Sequence, residues 1–95
     1  MALNLADRIT IMDSQVMQMR VRGAVINYAL YLLGGSPTDP QKAWAKGALD
    51  DPQGMGAKVS RHLLDDTNFL NGGSDITDNQ LKGAAETAIN ARFIV

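Results

Sequence analysis

Apolar residues recur in alternating steps of four and three through Leu5, Ile9, Met12, Val16, Met19, Gly23, Ile26, Leu30 and Leu33, and Gly23 alone in that run lacks an apolar side chain. A period of 3.5 residues is the heptad spacing of a helical seam, and nothing else in the chain constrains its fold as strongly. A strand would alternate in steps of two. Asn4 offers a side-chain oxygen to the first amides of such a helix, and Gly34-Gly35-Ser36-Pro37 supplies a stop. Glycine is suited to that end because it takes the left-handed conformation cheaply. The pattern predicts a long N-terminal helix over about 4–33, on the order of 45 Å at 1.5 Å per residue. Asp13-Ser14 carries a second pair of capping side chains, so two helices joined by a tight bend are the alternative.

The two halves of this segment differ. Up to Met19 the face opposite the seam carries Asp7, Arg8, Thr10, Ser14, Gln15 and Gln18, leaving a narrow apolar stripe. From Val21 onward, Ala24, Val25, Tyr28, Ala29 and Leu32 widen that stripe until most sides are apolar. A helix apolar nearly all round belongs in a core. The second half, Ile26 and Leu30 included, is therefore expected at the centre of the domain. The first half is narrow-striped and rich in methionine, which adapts to irregular partner surfaces. Too few residues remain to cover it. Leu5, Ile9, Met12, Val16 and Met19 are accordingly the candidate intermolecular contact.

The rest of the 95-residue chain reads as shorter helices. Asp39-Pro40-Gln41 and Asp51-Pro52-Gln53 each set an aspartate before proline, a pairing that starts helices. They predict a helix over about 40–49 presenting Ala43, Trp44, Gly47 and Ala48, and another over about 52–64 presenting Met55, Val59, Leu63 and Leu64. Asn71-Gly72-Gly73-Ser74 reads as a flexible connector. Thr77 and Gln80 then form a capping box, with Ile76 and Leu81 placed as a hydrophobic staple. The final helix runs over about 78–93, its apolar face made by Leu81, Ala84, Ala85, Ala88, Ile89 and Phe93. No segment alternates as a strand would. The expectation is a single all-α domain, 1–95, of four to five helices with the long helix first.

Composition narrows the chemistry. Nine Lys/Arg against ten Asp/Glu leave a net charge of −1, without the electrostatic footprint of a sequence-specific nucleic-acid binder. The absence of cysteine excludes disulfides and thiol chemistry, and suits a reducing compartment. The most apolar stretch, Gly23 to Leu33, falls well short of the roughly 20 residues of a membrane span. The first eight residues lack the basic and apolar regions of a secretory signal. His62, Asp65 and Asp66 share a helix face and would serve a metal or acid–base site, though an exposed helix end explains them more simply. The glycine pairs have no phosphate-loop spacing. Arg8, Arg20 and Arg22 read as solvated flanks of the seam. Trp44, the single tryptophan, fits an interface anchor or a core filler equally and joins the candidate interface residues. No cofactor is implied.

The stretch Ala43-Trp44-Ala45-Lys46-Gly47-Ala48-Leu49-Asp50-Asp51-Pro52, with Ile76-Thr77-Asp78-Asn79-Gln80-Leu81, resembles small all-α proteins of tailed bacteriophages. The likeness runs through the later helices and lies in their capping patterns. It implies a non-enzymatic structural subunit of the virion (head, head–tail connector or tail accessory), assembled in the host cytoplasm. Its partners would be other copies of itself or other virion proteins, with no membrane involved. It carries over no catalytic or metal-binding residue. Two rival readings stand beside it: a helical adaptor or regulatory module that binds a partner protein, and a small metal-dependent enzyme using His62 and nearby aspartates.

Overall fold

The computed structural model describes residues 3–65 and 76–94. Among them the chain forms five helices and no strand: α1 (Leu5–Asp13), α2 (Gln15–Leu33), α3 (Asp39–Asp50), α4 (Pro52–Asp65) and α5 (Asp78–Arg92). The all-α expectation holds. The connector at Asn71–Ser74 and the carboxylate of Asp66 lie outside the described residues.

The long N-terminal helix is not formed; it is broken at Ser14. That residue takes an extended backbone conformation (φ −60°, ψ 142°) and serves both helices at once. Its amide donates to the carbonyl of Ile11 at 3.2 Å, closing α1. Its hydroxyl accepts from the Met17 amide at 3.2 Å, opening α2. A serine side chain competes with continued helix by bonding nearby backbone, and here the competing geometry wins. The break lets α1 fold back against both α2 and α4.

Helix α2 is the hub, packing against each of the other four. Its buried side is made by Met17, Val21, Ala24, Val25, Tyr28, Ala29 and Leu32. Val21, Ala24, Val25, Tyr28, Ala29 and Leu32 are thus buried as expected, but Ile26 and Leu30, also expected in the core, lie on the opposite side. Leu30, expected in the core, is 54% exposed. Around α2 the remaining helices contribute Val59 and Leu63 of α4, Leu81 and Ile89 of α5, and Ala45 and Ala48 of α3, all buried. Each such Val, Leu or Ile stabilises the fold by about 1.5–3 kcal/mol relative to solvent exposure.

The capping chemistry is as read for two starts and corrected for a third. Asp51 accepts from the Gly54 amide at 3.0 Å, as an aspartate before proline should. The box on α5 closes reciprocally, Gln80 N–H to Thr77 Oγ1 at 3.1 Å and Thr77 N–H to Gln80 Oε1 at 2.9 Å. Ile76 and Leu81 flank it in contact with the core. For α3, however, the cap is Thr38 rather than Asp39, which becomes the first helical residue. Starting at Thr38 puts Gln41 third in the helix, where its carbonyl accepts from the Thr38 amide at 2.8 Å. A start at Asp39 would put Lys42 there, and an ammonium accepts nothing. The inward face of α3 is made by Trp44, Ala45 and Ala48, leaving Ala43 and Gly47, also expected on it, outside.

Candidate functional site

Two surfaces stand out, both built on α2. The first is its outer face. Val16 is 70% exposed, Met19 63% and Leu30 54%, with Gly23 and Ile26 half-buried between them. These residues keep the three–four spacing, so they form one apolar stripe about 21 Å long. Tyr31 stands beside its end, 74% exposed, its ring 6.2 Å from that of Tyr28 and nearly parallel to it. A side chain at Gly23 would meet nothing within 4 Å. On α1, Leu5 and Ile9 are also exposed.

The candidate interface residues thus separate. Leu5, Ile9, Val16 and Met19 are accessible, whereas Met12 and Trp44 are buried. Trp44 takes the core role: its ring lies 5.9 Å from that of Tyr28, whose hydroxyl in turn accepts from Asn90 Nδ2 at 2.9 Å. Leu30 and Tyr31, absent from the sequence-based set, belong to the exposed face. Leu30 belongs to the heptad run and was assigned to the core side of the helix; Tyr31 lies outside that run.

The second surface is a cleft of about 440 Å³ among α1, α2 and α4. Met12 and Asp13 line it from α1, Arg22 from α2, and Ser60 and Arg61 from α4. Gly56 lets the α4 backbone lie against Arg22 at its floor. The Nε of Arg22 is buried and has no hydrogen-bond partner among the described residues. A buried donor left unpaired costs about 1–3 kcal/mol.

The arginines of α2 are therefore not the uniform solvated flanks expected. Arg20 is half-buried and ties α2 to the start of α5, donating from Nη2 to the Ile76 carbonyl at 2.5 Å and to Asp78 Oδ1 at 2.9 Å. Arg22 faces the cleft, two residues further round the helix.

His62 is half-buried rather than pointing into solvent, its ring edge-on to Phe93 with centroids 5.3 Å apart. Among the described residues no group of three or more His, Cys, Asp or Glu is placed to hold a metal ion. No described helix is long and apolar enough to cross a membrane. No family model, curated protein or solved structure matches the chain. What the fold and surfaces define, among the described residues, is an all-α domain with an exposed apolar face on α2 and a cleft of mixed lining beside it.

Proposed function

We propose that the protein is a non-enzymatic structural subunit of a larger assembly, and that the assembly is the particle of a tailed bacteriophage. The observation that carries the assembly role is the exposed stripe from Val16 to Leu30 on α2. Isolated apolar residues are ordinary on a protein surface, but a contiguous run on one face marks a contact. Its heptad spacing is the form that one helix presents to another. The phage setting is supported by the resemblance of the α3 and α5 sequences to small virion proteins. Partners on this reading are further copies of the chain or neighbouring virion proteins.

Sedimentation of the purified chain over a range of concentrations tests this. The wild type should associate as concentration rises, and Val16→Asp should remain helical yet fail to associate. A charge at this exposed site is solvated in the free subunit and is stripped of water only on docking. A wild type that stays monomeric throughout, and joins no copurifying virion protein, overturns the reading. Association with a single partner at fixed stoichiometry would instead select the adaptor role.

A further inference from the structure

We infer that the cleft among α1, α2 and α4 binds a small organic anion, its oxyanion group held between Arg22 and Arg61 and its apolar body lying against Met12 and Ile9. The inference is independent of the assembly role and uses a different face of α2.

The cleft follows from the chain's local chemistry. The break at Ser14 turns α1 back so that Met12 and Asp13 wall the space; a straight helix would carry them away from α4. On α4, Gln53, Ala57, Ser60, Arg61 and Leu64 recur at helical spacing and present one mixed face to the cleft. The contact at Gly56 holds the Arg22 backbone in place, with Cα 3.5 Å from where a Cβ would sit. Among the described residues neither Arg22 nor Arg61 has an ion-pair or hydrogen-bond partner, and the Arg22 Nε is nevertheless buried.

The ligand class follows from that donor set. Guanidinium groups present planar, forked N–H donors that match carboxylate, phosphate and sulfonate oxygens. Ser60 and Gln53 add neutral polar groups. Asp13, also on the wall, disfavours a second anionic group, so the ligand carries one. The volume of about 440 Å³ falls in the range of small-molecule pockets and exceeds what an inorganic ion fills. An apolar body against Ile9 and Met12 accounts for the remainder.

The test uses the full chain and two dyes sharing one aromatic body: anilinonaphthalene sulfonate and its uncharged parent, phenylnaphthylamine. Fluorescence reports affinity, and the Nε–Hε resonance of Arg22 reports location. The sulfonate should bind saturably, shift that resonance and be displaced by inorganic phosphate. Arg22→Gln and Arg61→Gln should each weaken it roughly tenfold or more, at unchanged helical content. Neither variant should alter binding of the uncharged dye. If Arg22→Gln does not fold, Arg61→Gln carries the test, since that side chain is exposed. Val16→Asp separates the cleft from the outer stripe and should leave sulfonate binding intact. An unmoved Arg22 resonance, wild-type affinity in Arg61→Gln, or a larger loss in Val16→Asp than in Arg61→Gln overturns the inference.

Discussion

A Cβ built on Gly56 would lie 3.5 Å from the Cα of Arg22, so α4 and α2 meet at this crossing with no side chain of α4 between them. The spacing fits one methyl group and nothing larger. Gly56→Ala should therefore fold normally, with stability unchanged or raised by up to about 1 kcal/mol, since alanine suits a helix interior better than glycine. Gly56→Leu must push the helices apart and should cost about 1–3 kcal/mol. Urea midpoints of the two variants check this. Equal midpoints would mean that the α2–α4 crossing has room for a large side chain.

Arg20 and Asp78 form an ion pair at 2.9 Å, yet their side chains are 27% and 90% exposed. Water screens such a pair, and its own contribution is about 0–1 kcal/mol. Asp78→Asn should thus shift stability by less than about 1 kcal/mol, part of it from the lost negative charge in the first turn of α5. Arg20→Met should cost more, because the Ile76 carbonyl also loses its donor. Thermal unfolding of both variants should rank them in that order.

Thr77 opens α5 with a reciprocal pair of bonds to Gln80. Thr77→Ala removes the acceptor for the Gln80 amide and should destabilise the chain by about 0.5–2 kcal/mol. Gly in the same place should cost only a few tenths. Chemical denaturation distinguishes the two.

Leu30 and Ile89 are both large aliphatic residues at helical positions, one 54% exposed and the other fully buried. Ile89→Ala should cost about 2–5 kcal/mol. Leu30→Ala should stay within about 0.5 kcal/mol in the monomer, as expected of an exposed position. A Leu30→Ala variant that unfolds like Ile89→Ala would place the seam inside the core, and would remove the support for docking through the outer face of α2.

Much of this fold was legible in local chemistry. Thr77–Gln80 and Asp51 before Pro52 each act within a few residues, so their geometry is set wherever the chain goes. Residues 4–33 carried helical signals just as plainly, and Asp13-Ser14 marked a possible break. Whether the helix continued through Ser14 depended on what lay beside it. Packing α1 against α4 rewards the bend, and no residue near Ser14 encodes that neighbour. The sidedness of α2 was likewise open. With apolar residues on most sides, periodicity identifies a helix but not its inward face, and the part of the heptad run from Val16 to Leu30 proved to be the outer one. The cleft is the furthest from sequence: Arg22, Gly56 and Arg61 share no motif. Local sequence determined which segments are helical and how they start, because hydrogen bonding and backbone propensity act over single turns. Which faces are buried, and which arginines line the cleft, was decided by tertiary packing, because burial depends on residues distant along the chain.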